Sequence, residues 1–185
     1  QKEYFDQIKY KGISNKIIVD KFPLNLMELG FIKTIFPNSK IILAIRHPLD
    51  CILSCVITQF KINEAMANFI DLQTTAYFYN ELFLLFKQYK DFFEFNYHTI
   101  KYEDVVVDFK NTISDLLKFL DLNYEKKISD FHITAKNREK INTPSYTQVI
   151  QPIYKSSIYR YKNFPEVDSI KELIQPWINH YSYKV

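Results

Sequence analysis

One short run constrains the fold of this chain more than any other feature of its sequence. Residues 40–45, with the sequence KIILAI, are apolar after the first position, and the run ends at Arg46, His47 and Pro48. A strand with one face in water alternates polar and apolar residues, whereas a strand of a parallel sheet is covered on both faces and is apolar throughout. Residues 40–45 therefore predict a buried strand in a parallel sheet that has helices on its faces.

The rest of the chain alternates between strand-like and helix-like segments. Two more strands are predicted at residues 16–19 and 98–101, and residues 16–45 are expected to form a βαβ unit. Apolar residues at helical spacing predict helices at residues 24–36, 48–58, 64–91, 108–120 and 166–181, and residues 142–164 are predicted to be a loop. The alternation predicts one α/β domain over residues 1–185, with three layers, α/β/α, around a central parallel sheet.

Composition argues against several kinds of partner. The 24 basic and 21 acidic residues give a net charge of +3 and are mixed along the chain, so we expect no nucleic-acid partner. No run reaches the roughly 18 apolar residues of a membrane helix, so no membrane segment is expected in this chain. Cys51 and Cys55 match neither a CxxC pair nor a four-ligand zinc site and are interpreted as two buried thiols in a reducing compartment. The four histidines lack metal-site spacing, so we expect them to be structural and expect no metal.

Polar residues follow each of the three predicted strands. Lys21 comes just after the first strand, Arg46 after the second and Tyr102 after the third. Ligands of open α/β sheets bind outside the carboxyl ends of the strands, where the amino termini of helices also offer N–H groups to anions. The sequence therefore predicts a site for a small anion at this edge of the sheet.

Arg46 is the strongest candidate for binding that anion. The chain has 21 lysines but three arginines, so its compositional preference for lysine does not explain an arginine at this position. A guanidinium offers a fork of donors that matches phosphate. Steps of four residues from Arg46 reach Asp50 and Ser54 on one face of the predicted helix. The alternative is a surface salt bridge between Arg46 and Asp50 without a ligand.

Four motifs resemble a known family. The sequences DKFP at residues 20–23, RHPLDCILS at 46–54 and KYED at 101–104 have the order and spacing of sulfotransferases that use 3′-phosphoadenosine 5′-phosphosulfate (PAPS). The segment TPSYTQVIQPIYKSSIYRY at 143–161 resembles protein-tyrosine sulfotransferases and bacterial sulfotransferases that follow tetratricopeptide repeats. The resemblance, over about residues 16–165, implies a P-loop-NTPase-like fold and transfer of a sulfuryl group from PAPS to a hydroxyl acceptor. It also implies that this acceptor is a tyrosine-containing protein and that tetratricopeptide repeats lie upstream.

The resemblance also implies roles for six residues. Those that bind the nucleotide are Arg46 and Ser54 at the 3′-phosphate, Tyr102 in the nucleotide pocket and Arg160 near the phosphates. The catalytic ones are Lys21 at the transferring group and Ser145 beside the reaction centre. Three of these residues have simpler explanations, which remain open. Ser54 fits a hydroxyl on a helix surface, Tyr102 a core aromatic and Ser145 a turn residue.

Sulfotransferases of this kind begin with a loop resembling PRSGTT, which wraps the 5′-phosphosulfate, and the general base follows soon after it. Neither precedes Lys21, and Gly12 lies in YKGIS without a second glycine. We therefore expect an N-terminally incomplete, carboxy-terminal part of a longer enzyme that is inactive alone. The expected location is cytoplasmic for a bacterial protein and the Golgi lumen for a eukaryotic protein-tyrosine sulfotransferase. The alternatives are a non-catalytic interaction or nucleotide-binding module derived from a sulfotransferase and, less favoured because a P-loop is absent, a nucleotide kinase.

Overall fold

A computed structural model describes residues 1–10, 17–58, 60–61, 63–136 and 150–184. In these ranges the α-helices are α1 (Lys2–Tyr10), α2 (Leu29–Ile35), α3 (Pro48–Ile57), α4 (Leu72–Phe92), α5 (Tyr102–Val107), α6 (Phe109–Phe119), α7 (Phe131–Lys136) and α8 (Lys171–His180). The strands are β1 (Ile41–Ile45) and β2 (Tyr97–Lys101). Short 3₁₀ helices lie at Pro23–Leu26, Met66–Phe69, Lys126–Asp130, Arg160–Asn163 and Pro165–Ile170.

The strands β1 and β2 are neighbours in a small parallel sheet, and α3 and α4 lie between them in the chain. The predicted α/β fold class is therefore confirmed. The strand predicted at residues 16–19 is wrong over its described part, because residues 17–19 have no regular structure. Ile17 is 70% exposed and Val19 is 79% exposed. β-Branched residues favour a strand only where a neighbouring strand and a covered face are present, and the βαβ connection described runs from β1 to β2 instead of over residues 16–45.

Three predicted helices begin later than expected or are divided. The segment 24–36 begins as the 3₁₀ helix Pro23–Leu26 and continues as α2. The segment 64–91 is divided before α4, because the Asp71 carboxylate accepts hydrogen bonds from the amide and hydroxyl of Thr74 at 2.7 and 2.9 Å. This is the arrangement of a helix cap. The last helix likewise follows a 3₁₀ segment, Pro165–Ile170.

Gly30 lies inside α2 because a side chain there would collide with a neighbouring ring. A Cβ atom at this position would be 2.7 Å from Cε1 of Tyr89. The Tyr89 hydroxyl donates to the carbonyl oxygen of Met27 at 2.8 Å, which fixes the ring. Close packing therefore explains a glycine that is otherwise unfavourable within a helix.

The contacts divide the chain into two compact units. The first contains Gln1–Ile41 and Leu82–Asn96, and the second contains Ile42–Glu81 and Tyr97–Val185. Large apolar side chains of the first unit are more than half exposed, namely those of Ile17, Val19, Phe22, Phe31 and Phe92. The prediction of one domain over residues 1–185 concerns folding as a unit, which this grouping does not test, and it stays a prediction.

The core of the second unit lies where α3 packs against α8, which in turn packs against the 3₁₀ helix Pro165–Ile170. Its side chains are 0–1% exposed and belong to Leu49, Ile52, Val167, Ile170, Ile174 and Ile178. This packing fixes α3, whose first turn follows directly on β1. Among the helices described, none combines the length and apolar character needed to cross a membrane.

Candidate functional site

The connection from β1 to α3 consists of Arg46 and His47. Ile45, the last residue of β1, is buried, and so are Pro48 and Leu49 in the first turn of α3. Pro48 suits the first helical position because its fixed φ angle is helical and it lacks an N–H group that would need a partner. The buried residues on both sides therefore fix the backbone of Arg46 at the carboxyl end of the strand, as the sequence predicted.

The guanidinium of Arg46 has three neighbours. Its Nη2 atom donates to the carbonyl oxygen of Ser157 and lies 3.6 Å from Oδ2 of Asp50. Its Cζ atom lies 5.1 Å from the centre of the Tyr102 ring, which is a cation–π geometry. The side chain is 22% exposed, and its buried Nε atom has no hydrogen-bond partner in the described part of the chain. Arg46 is therefore held firmly while one of its donors stays unused.

The ion pair between Arg46 and Asp50 is not the surface salt bridge that the sequence left open. The side chain of Asp50 is fully buried, and its Oδ1 atom accepts the amide of Tyr161 at 2.8 Å. Burial raises the pKa of this carboxyl, although the amide of Tyr161 and the charge of Arg46 act in the opposite direction. Asp50 therefore connects α3 to the 3₁₀ helix Arg160–Asn163.

A second buried carboxylate, that of Glu103, lies at the start of α5. Its Oε1 atom accepts the amide of His47 at 2.8 Å, and its Oε2 atom accepts the hydroxyl of Tyr183 at 3.1 Å. Burial, together with the charge of Glu103, raises the pKa of Tyr183. Because His47 lacks a side-chain cap of its own at the start of α3, Glu103 supplies the negative charge that a helix amino terminus favours.

His47 is an aromatic core residue. Its ring is 0% exposed and stacks on Tyr161 with 4.5 Å between ring centres and 17° between planes. Burial lowers the pKa of His47 to about 4 despite a backbone contact at Lys184 that raises it, and the charges of Lys162 and Arg46 lower it further. His47 is therefore neutral at pH 7, which suits the structural role predicted for it. Within the ranges described, no group of three or more His, Cys, Asp or Glu side chains could hold a metal.

The remaining nucleotide-binding candidates lie in the same unit. Ser54 is half-buried on α3, one helical turn after Asp50. Arg160 is exposed, and its Cζ atom lies 5.7 Å from the centre of the Phe164 ring. The contacts of the site therefore join Arg46 directly to Tyr102 and join α3 to the segment that carries Arg160.

The two catalytic candidates are placed differently. Lys21 belongs to the first unit and is exposed in a segment without regular structure. Its neighbour Asp20 accepts hydrogen bonds from the hydroxyl of Tyr4 and the side-chain amide of Asn25, both at 3.2 Å. Ser145 lies outside the described residues.

One expectation about α3 does not fit the structure. The sequence suggested that amides at the start of this helix bind the anion, but Leu49 is 0% exposed and Asp50 is 1% exposed. Packing of the first turn against the rest of the unit covers these amides. A ligand at this edge would therefore contact side chains, above all that of Arg46, instead of the first-turn amides.

Sequence reasoning missed the supporting contacts of this site. No role was predicted for Glu103, and Asp50 was considered only as a surface partner of Arg46. The roles of the Ser157 carbonyl and the Tyr161 amide could not be predicted from residue types, because both groups belong to the backbone. A signal was present for Glu103, because it follows one predicted strand, α3 follows another, and negative charge is favourable near a helix amino terminus.

One family model matches the greater part of this chain, and two known proteins resemble it. The model of the sulfotransferase family matches residues 1–126. An uncharacterized protein of Aquifex aeolicus (strain VF5) is 25% identical over 192 residues, which cover 98% of this chain and 25% of that protein. The chain thus spans about a quarter of the length of that relative. The solved sulfotransferase domain from the curacin biosynthetic pathway is 21% identical and has a similar fold, with a TM-score of 0.63 over 99% of this chain and 68% of that domain.

Proposed function

Because the chain belongs to the sulfotransferase family, we propose that the complete protein transfers a sulfuryl group from PAPS to a hydroxyl acceptor. The observation that carries this proposal is the environment of Arg46. Its guanidinium is fixed by Ser157, Asp50 and Tyr102, and its Nε donor has no protein partner among the described residues. An arginine that is held in place with a donor to spare suits a ligand with negatively charged oxygens.

The side chains around Arg46 fit the 3′-phosphate of such a nucleotide. The positive charge of Arg46 is only partly offset by Asp50, because 3.6 Å separates the nearest atoms. The hydroxyl of Ser54, further along α3, offers a second donor, and Tyr102 provides an aromatic face. PAPS, when bound, supplies the sulfuryl group and leaves as 3′-phosphoadenosine 5′-phosphate (PAP).

We assign the roles of this chain's residues accordingly. Arg46 binds the 3′-phosphate, Ser54 donates a hydrogen bond to it, and Tyr102 keeps the guanidinium of Arg46 in place. Arg160 adds positive charge near the phosphates. The roles of Lys21 at the transferring group and of Ser145 beside the reaction centre rest on the motif resemblance alone. Positioned cations of this kind stabilise the charge that develops on oxygen during group transfer.

We propose that the acceptor is a tyrosine in a protein. A tyrosine in a protein is favoured by the similarity of residues 143–161 to protein-tyrosine sulfotransferases. Those residues lie partly outside the described ranges, so the assignment depends on sequence and not on geometry. Hydroxyl-bearing molecules in general are the broader class of acceptor for the same reaction.

The test is transfer of radiolabelled sulfate from PAPS by the complete protein. A tyrosine-containing peptide and a simple phenol are offered as acceptors, and the same peptide with phenylalanine in place of tyrosine is the control. We expect label on the hydroxyl-bearing acceptors and none on the control. Label on the phenol alone would remove the protein-tyrosine assignment.

Calorimetric titration with PAP separates the remaining outcomes. Binding of PAP without transfer to any hydroxyl would favour a nucleotide-binding module that has no catalytic activity. An absence of binding at about millimolar PAP, which corresponds to roughly 4 kcal/mol of binding free energy, would contradict the nucleotide assignment itself.

A further inference from the structure

We propose that Asp50 is a positioning residue that holds the backbone of residues 159–161 and thereby places Arg160 beside the phosphates. For the identity of the ligand this inference rests on the proposed function. Asp50 itself contacts no ligand in this account. Its carboxylate accepts a hydrogen bond from the Tyr161 amide at 2.8 Å, and Asp50 is only 1% exposed.

The backbone next to Arg160 has a conformation that needs such support. Tyr159 has φ 53° and ψ 31°, in the left-handed region, which is unfavourable for a residue with a side chain. Successive amides around a residue of this conformation can point into one concavity that suits an anion. The carboxylate of Asp50 takes this place, since it accepts the amide of Tyr161 and also interacts with that of Tyr159.

The same loop contacts both the β1–α3 connection and α3 itself. The Ser157 carbonyl accepts from Arg46, and four residues later the Tyr161 amide donates to Asp50. Arg160 is adjacent to the second point, so its backbone position depends on Asp50. The loop therefore links the placement of the two arginines assigned to the phosphates, although 114 residues separate them in sequence (160 − 46).

Two substitutions separate the roles of the carboxylate. Asp50→Asn removes the charge but keeps an oxygen for the Tyr161 amide, whereas Asp50→Ala removes both. We expect the Tyr161 amide to exchange with solvent slowly in the parent and in Asp50→Asn, and at least about tenfold faster in Asp50→Ala, because a buried hydrogen bond to a carboxyl is lost. PAP affinity should fall less than about fivefold for Asp50→Asn and more than about tenfold for Asp50→Ala.

Arg160→Ala tests whether Asp50 acts through Arg160. In that background, the difference in PAP affinity between Asp50→Ala and Asp50→Asn should shrink to less than about twofold, because interacting residues are not additive. The matched control is Glu103→Gln, another buried carboxyl, whose hydrogen bonds go to His47 and Tyr183. It should leave the Tyr161 amide protected. Should Asp50→Ala not fold, Asp50→Ser replaces it, since its hydroxyl is too short to reach the Tyr161 amide.

Three results would overturn the inference. The first is a rapidly exchanging Tyr161 amide in a parent that binds PAP. The second is an equal loss of PAP affinity in Asp50→Asn and Asp50→Ala. The third is a difference between these variants that persists with Arg160→Ala. A parent that binds no PAP overturns the proposed function and the nucleotide part of this inference, while exchange at Tyr161 still decides whether Asp50 holds the loop.

Discussion

Lys21 and Arg46 have the same local sequence pattern and different structural surroundings. Each follows an apolar run and precedes a proline by two residues. Arg46 lies between β1 and α3 with a mostly buried side chain, whereas Lys21 is exposed in a segment without regular structure. The difference teaches that this pattern produces an organised cation only where the preceding run joins a sheet and the following helix enters the core.

The carboxylates beside the two cations differ in the same way. Asp50 and Glu103 are buried and accept backbone amides at 2.8 Å. Asp20, next to Lys21, is exposed and its hydrogen bonds are 3.2 Å long. Buried acceptors are costly to remove because their donors are left without water, and exposed ones are not. Substitutions at the two places should therefore have very different effects on stability.

The largest effect is expected for Glu103→Ala. It leaves the His47 amide and the Tyr183 hydroxyl without their acceptor, at a cost of about 1–3 kcal/mol of unfolding free energy for each donor. Asp20→Ala, the matched variant near Lys21, should change the unfolding free energy by less than about 0.5 kcal/mol. Urea denaturation of both variants measures the comparison. Equal losses would contradict the distinction between the two regions.

The titration of His47 is expected to have a smaller effect on the unfolding free energy. Its pKa is 6.5 in the unfolded chain and about 4 in the folded one, so between these values the unfolded state binds a proton that the folded state does not. The contribution of His47 to the unfolding free energy is fully present above pH 6.5. It is lost as the pH falls towards 4, by up to about 1.4 kcal/mol per pH unit.

The variant His47→Phe isolates this contribution. Phenylalanine can keep the stacking on Tyr161 but cannot take up a proton. The carboxyl of Asp50, whose raised pKa changes stability in the opposite sense, is present in both proteins and cancels in their difference. As the pH is lowered from about 7 to about 5, the unfolding free energy of the parent should therefore fall relative to that of the variant. Parallel pH profiles would show that His47 is not buried in its neutral form.

The sequence predicted those parts of the structure that local pattern determines. The apolar run at 40–45 and Pro48 were sufficient to predict β1, α3 and the position of Arg46 between them. The pattern failed at residues 17–19, where β-branched side chains have neither a neighbouring strand nor a covered face in the described structure. It also gave no sign of α5, which starts at Tyr102 directly after β2.

The supporting contacts of the site could not be predicted for a different reason. Asp50 and Tyr161 are 111 residues apart in sequence, and the contact uses a backbone amide that every residue except proline possesses. No residue type is therefore required at position 161 for this hydrogen bond. Nor could the burial of Leu49 and Asp50 be read from the start of α3, because it depends on packing with α8 and the 3₁₀ segments.

The central claim is that Arg46 binds the 3′-phosphate of the nucleotide. It is tested most directly by the affinities of the complete protein and its Arg46→Lys variant for two ligands, PAP and adenosine 5′-phosphate, which differ only in that phosphate. Lysine keeps the charge but loses the fork of donors, so PAP binding should weaken by about 1.5–3 kcal/mol, or roughly 10- to 150-fold. Binding of adenosine 5′-phosphate should change less than about twofold. If both ligands lose affinity equally, or neither does while the variant stays folded, Arg46 serves only its ion pair with Asp50.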